Sequence, residues 1–312
     1  MEIVSFSDGL FKQRSVLLQN SLRPNCNSYP IECEYPIVLS LKNPQFSYCV
    51  TEDDRKFSTP KLVAHANFWP RLMLEKSTQS EFPVALIGNV ATDSSYRGMG
   101  IMRNLFADLW DNALSKGYDA LILWSDLENF YRKLGFNPCG REYRFCFSSQ
   151  RLKSYVNSCD FFVPSLESLN QQLLDKMLHL RPETPASLKR SSEEFAQLLG
   201  IPDTVVLVSY EQDEIQSYFV LGKGNDMIGV VHEWGAKSPE LVLDAMQYIV
   251  KFTNWDMIWL LSPVCLAKNW ISVFRPYVKK LETHPVALAK IKKGSPIGRV
   301  IQESFIWGLD SI

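Results

Sequence analysis

The segment from Gly88 to Leu105 reads GNVATDSSYRGMGIMRNL. An apolar stretch ends at Val90, and Arg97-Gly98-Met99-Gly100 leads into a run with helical apolar spacing. Glycines in such a loop let the backbone turn tightly and come close to a ligand. The unpaired N–H groups of a helix's first turn, with the helix dipole, then make a site for a phosphate-type anion. Arg97 adds a positive charge at the same point. The loop is not a P-loop, because no GKS or GKT follows, and it lacks the third glycine of a dinucleotide fingerprint. The other chemistry-bearing types are dispersed. His65, His179, His232 and His284 make no ligand spacing, and the seven cysteines include no CxxC, so no metal is expected.

The elements that must hold this loop are legible from period. Leu62–Leu74 and Phe82–Val90 are strand-like, and Phe46–Arg55 reads as a strand running into an acidic turn. Ile101, Leu105, Leu109 and Leu114 form a helical stripe, with Gly117 as its stop. Ala120–Trp124, ALILW, is a continuous apolar run suited to a strand buried on both faces. Leu127–Leu134 reads as a short helix closed by Gly135, and Tyr143–Phe147 as a last alternating strand. The second half repeats the pattern. Helices are expected over Ser165–Leu180, Ser187–Leu199 and Pro239–Phe252. Strands are expected over Thr204–Tyr210, Gln216–Leu221, Met227–Val231 and Met257–Leu261. Tyr118–Ser125, YDALILWS, matches Trp255–Ser262, WDMIWLLS, and each follows a strand and a helix. This reads as an internal repeat of one α+β unit.

Val90 followed by Arg97-Gly98-Met99-Gly100-Ile101 resembles the coenzyme-A loop, R/Q-x-x-G-x-G/A, of the GNAT N-acetyltransferases. Asn129–Phe136, NFYRKLGF, resembles the second signature of that family, F-Y-x-x-x-G-F. The resemblance covers residues 1–148, and Met102 departs from it, standing where Gly or Ala is usual. It implies that the strand before the loop splays from its neighbour and that the pantetheine arm of acetyl-CoA pairs with Val90, Ala91 and Thr92. It implies that the pyrophosphate sits on the N–H groups of Arg97, Gly98, Met99, Gly100, Ile101 and Met102. An acceptor amine would then attack the thioester directly. Tyr131 occupies the family's proton-donor position, and its ordinary pKa of about 10 suits protonating a thiolate. No Glu stands on Phe82–Val90 to act as base. Asn89 is expected to position a water. Asp126 is expected to take a proton, hold a cationic acceptor or cap the helix from Leu127. His65 reads as a hydrogen-bonded structural residue, and Glu142 as a solvated strand residue.

The second repeat carries His232-Glu233-Trp234-Gly235 where the loop should be, with no Arg-x-x-Gly-x-Gly. The expected architecture is therefore α+β with two tandem GNAT-like domains, each a mostly antiparallel sheet with flanking helices. Residues 1–148 are read as catalytic and 149–312 as a degenerate copy that walls the acceptor side. Tandem arrangements of this kind resemble the enhanced-intracellular-survival type, in which a terminal carboxylate reaches the active site as a base. The apolar end, Phe305–Ile312, reads as a packed edge strand. The expected activity is transfer of an acetyl group from acetyl-CoA to a primary amine. A non-catalytic acyl-CoA sensor and a Fem-like aminoacyl transferase are the alternatives.

Composition bounds the rest. The 312 residues suit two domains, and 33 Lys and Arg against 34 Asp and Glu give a net charge of −1, which argues against nucleic acid as the main partner. The longest apolar stretch, Met257–Ala267, is short of a membrane span, and the N-terminus lacks a secretory layout. A cytoplasmic location is expected, with the cysteines as buried small hydrophobes; a homodimer stays open.

Overall fold

The computed structural model describes residues 1–26, 28–52 and 60–312, so the acidic turn expected after Glu52 lies outside the described residues. The chain begins with β1 (Glu2–Ser5), α1 (Phe11–Leu22), α2 (Ile31–Glu34), β2 (Ser47–Glu52), β3 (Lys61–Glu75) and β4 (Ser80–Thr92). It continues with α3 (Ile101–Ser115), β5 (Ala120–Leu123), α4 (Glu128–Arg132) and β6 (Asn137–Cys139). Strands β1 to β4 pair antiparallel in order, and β5 lies parallel to β4, as a strand reached through a crossover helix must. Helix α3 buries Ile101, Leu105, Phe106, Leu109 and Ala113 against Ala64, Ala66, Phe68, Ile87, Leu121 and Leu123. β5 is buried at all four residues, which is why its sequence does not alternate.

A second unit follows: β7 (Glu142–Ser148), α5 (Ser149–Leu152), α6 (Gln171–Leu180), β8 (Ala186–Leu188), α7 (Ser192–Leu199), β9 (Val205–Glu211) and β10 (Glu214–Lys223). It closes with β11 (Asp226–Ala236), α8 (Pro239–Thr253), β12 (Met257–Pro263), α9 (Lys268–Phe274) and β13 (Val278–His284). Its sheet runs β13-β7-β12-β11-β10-β9, with β11 parallel to β12 across α8. Two expected helices begin later than their apolar spacing suggests. Asn170 caps α6 by accepting from the Leu173 N–H at 2.9 Å. Ser191 starts α7 with a capping box to Glu194, so residues 186–188 stay extended as β8.

The strand β14 (Ala287–Ile291) returns to the first sheet and lies between β5 and β6. In the second sheet the equivalent slot, between β12 and β13, is filled by β7. Each repeat has therefore given its last strand to the other sheet. The compact units are accordingly 1–139 with 287–302 and 311–312, and 140–286 with 303–310, rather than a division at 148. The end of the chain is not the expected strand. Gly308–Asp310 is a 3-10 turn, because the Asp310 carboxylate is drawn to Arg190 at 2.5 Å and Gly308 lies against His232, where a Cβ would approach within 2.6 Å.

Candidate active site

The glycine loop after β4 has the geometry that its residue types require. Gly98 and Gly100 have φ of +81° and +77°, the left-handed region that favours glycine, and a Cβ on either would meet nothing within 4 Å. Gly100 is the N-cap of α3 and supplies no side-chain cap, so the first-turn N–H groups face outward. The loop is braced from its start. Asp93 accepts from the Ser95 N–H at 2.9 Å and pairs with Lys61 at 3.2 Å. The Ser95 N–H, and then Lys61, hold its carboxyl below the usual range. The Nε of Arg97 donates to the Thr92 carbonyl at 3.3 Å, folding that cation back over the strand end.

Strand β4 stops pairing with β5 after Ile87 and Leu123, so the two strands part where β4 runs on to Thr92. On the other side β4 carries a bulge. His65 pairs with Ala91 and Asn67 with Gly88, leaving Asn89 and Val90 opposite Ala66, and Asn89 takes φ +47°. A cleft of about 600 Å³ lies beside this strand end, lined by Val90, Ala91 and Thr92, by Arg97, Gly98, Gly100, Ile101 and Met102, and by Leu127, Phe130 and Tyr131. Tyr96, Arg103 and, at the end of α1, Ser21 and Leu22 complete it. Met99 is 60% exposed and outside the lining, and Met102 packs partly against the core.

Tyr131 comes to this cleft on α4. Its ring packs edge-on against Phe106 and Phe136, and its hydroxyl bonds Ser125. Burial pushes the phenol up to about 12, which keeps it protonated at neutral pH. Asn89 is buried next to Val90, with its Nδ2 donating to Asn67 at 3.0 Å. Ile312 lies on β4 as well: a Cβ at Gly88 would overlap its main-chain carbon and oxygen. Asp126 is exposed and outside the lining, and the N–H of Leu127 is accepted by Ser125 at 3.1 Å, not by Asp126.

The acetyltransferase (GNAT) domain family matches residues 45–139, the stretch that holds β2 to β6, the loop and Tyr131. Residues 45–139 are a GNAT domain. No curated protein matches the chain in sequence. The fold extends the likeness to 93% of the chain in three solved structures. A probable N-acyltransferase from Enterococcus faecalis V583 has a TM-score of 0.70 at 14% identity, with 72% of that chain covered. Eis1 from Mycobacterium abscessus has a TM-score of 0.58 at 12% identity, with 74% covered. Saccharomyces cerevisiae N-myristoyltransferase with bound myristoyl-CoA has a TM-score of 0.59 at 12% identity, with 79% covered.

The second, GNAT-like unit lacks the loop for a geometric reason. β11 ends at Ala236 and α8 begins at Pro239, leaving only Lys237 and Ser238, against residues 93–100 in the GNAT domain. Gly235 there serves packing, since a Cβ would approach the Leu180 carbonyl carbon within 2.6 Å. Glu142, read as solvated, is instead 4% exposed, and burial raises its carboxyl pKa despite the Arg144 Nε at 2.6 Å. Among the described residues no group of three or more His, Cys, Asp or Glu side chains is placed to hold a metal, and no helix is long and apolar enough to cross a membrane.

Sequence reasoning missed Arg14 and Asn67, both fully buried. The signal was present in β3, where LVAHANFW sets His65 and Asn67 two apart, hence on one face of a strand otherwise apolar on both.

Proposed function

We propose that the chain transfers an acetyl group from acetyl-CoA to a primary amine, with the GNAT domain catalytic and the second unit a degenerate copy. The observation that carries this reading is the pair of left-handed glycines at the uncapped N-terminus of α3, opening on a cleft beside a strand that has parted from its neighbour. Acyl transfer is the general chemistry that the GNAT family match supports. In the proposal the N–H groups from Arg97 to Met102 hold the pyrophosphate, and the free backbone edge of Val90–Thr92 aligns the pantetheine arm. The amine attacks the thioester carbon, the C–N bond forms and the C–S bond breaks. Tyr131 gives its proton to the leaving sulfur. Asp126, exposed beyond the cleft, attracts a cationic acceptor.

The proton lost by the amine needs an acceptor, and β4 carries no carboxylate after Glu81. For a chain ending at Ile312, the main-chain carboxyl group against Gly88 takes that role, as the resemblance to the enhanced-intracellular-survival type implies.

The test is calorimetry with CoA. One molecule binds per chain, and Gly100→Arg abolishes binding, because its side chain would enter the phosphate site and arginine does not favour φ +77°. Unchanged affinity in that variant would remove the loop from the account.

A further inference from the structure

The second unit holds a cavity of about 370 Å³ that the acyl-transfer reading does not use. That volume lies within the usual range of small-molecule sites. The walls come from β9, β10, β11 and the C-terminal end of α8. Buried Leu207, Leu221 and Ile249 form its floor, and exposed Ile228 and Phe252 stand at its rim. Gly229, which also lines it, sits inside β11 at φ +74°, and a Cβ there would meet nothing within 4 Å. Glycine inside a strand marks a bulge or a place that a ligand approaches closely. Here the pairing of β10 with β11 shifts register between Leu221 and Lys223, so the hairpin opens beside the cavity.

Three features of the lining favour positive charge. The first is aromatic. Tyr248 and Phe252 lie one turn apart on α8, with their ring planes 7° from parallel and centroids 6.2 Å apart. Asn254 ends the helix in the left-handed conformation at φ +57°, and Trp255 after it joins the same lining. Aromatic faces attract a cation. The second is the helix itself, because Phe252 and Thr253 bring its C-terminal turn to the cavity, where the dipole is negative. The third is Asp203, the one charged residue of the lining among the described residues. The lysines nearby in sequence are outside the lining and turned elsewhere. Lys223 Nζ donates to the carbonyls of Gly308 at 3.0 Å and Leu309 at 3.2 Å, and Lys251 Nζ to Gln247 Oε1 at 3.0 Å. The cleft of the GNAT domain has the opposite character, with Arg97 and Arg103 as its charged lining.

We propose that this cavity is a binding site for a small apolar amine in its protonated form. The apolar body rests on Leu207, Leu221 and Ile249, and the ammonium group lies among the aromatic rings on the side of Asp203. The site does not depend on acyl transfer and stands or falls separately from it.

Three probes share one body and differ in charge at neutral pH: 2-phenylethylamine, 2-phenylethanol and 3-phenylpropanoate. Ligand-observed NMR titrations of the full chain give each Kd. The amine binds about tenfold more tightly than the alcohol, and the carboxylate binds most weakly. Phe252 is exposed and asparagine tolerates the φ of +56° at Asp203, so Phe252→Ala and Asp203→Asn keep the Tm and the CoA affinity of the parent. Asp203→Asn brings the Kd of the amine toward that of the alcohol, and Phe252→Ala weakens both. Equal affinity for amine and alcohol, or tighter binding of the carboxylate, overturns the proposal. So does amine binding that survives both variants, since it then belongs to another site. Sedimentation showing a dimer that Phe252→Ala dissolves also overturns it, by seating a second copy of the chain on the cavity.

Discussion

Tyr131 has two duties that a single atom separates. Its ring packs edge-on against Phe106 and Phe136, its hydroxyl bonds Ser125, and the residue lines the cleft. Tyr131→Phe keeps the ring, so the fold and the KM for acetyl-CoA hold, while kcat falls by about 10²-fold, the usual scale for losing a general acid. With the phenol pushed up to about 12, deprotonation of this group leaves kcat untouched across the neutral and mildly alkaline range. An unchanged kcat in the variant would hand the proton transfer to another group. Ile312 is tested in the same way. For a chain ending at Ile312, extension by two glycines moves the carboxylate away from Gly88, and kcat is expected to fall while CoA affinity and Tm stay put. If kcat holds, Ile312 is packing alone.

At the scale of elements the exchanged strands decide what can fold. The first sheet needs β14 between β5 and β6, and β7 belongs to the second sheet. A chain of residues 1–148 would expose the facing edges of β5 and β6 and carry β7 unpaired, the kind of open edge that aggregates. It is expected to be insoluble or to bind ANS with no cooperative melting transition, whereas the full chain melts cooperatively; a well-folded 1–148 would contradict the exchange. The sequence made most elements legible, because α3 and α8 carry a helical apolar period and β4 and β5 are apolar runs of strand length. Strand Tyr143–Phe147 was read correctly as a strand and assigned to the wrong sheet, since periodicity says which face of a strand is buried and nothing about its neighbours. Helix α1 escaped notice because its buried side includes Arg14, so its apolar stripe is broken by a charge. The glycine loop was legible because the left-handed backbone at Gly98 and Gly100 favours glycine. The Asn67–Asn89 pair was not, because its meaning lies in a contact between residues 22 apart.

Over the whole molecule, one repeat keeps a loop of residues 93–100 between its strand and helix and the other joins them through Lys237 and Ser238, so the two units differ in the one feature that the proposal gives to phosphate. A net charge of −1 gives the chain no long-range pull on a polyanion, so the proposed recognition of CoA rests on local N–H groups and Arg97. The measurement that tests this division of labour most directly is release of free thiol from acetyl-CoA, followed with and without a primary amine, on the full chain and on Gly100→Arg. The account predicts amine-dependent thiol release matched one for one by acetylated amine, and its loss in the variant. Amine-independent thiol release, or a variant as fast as the parent, would contradict it.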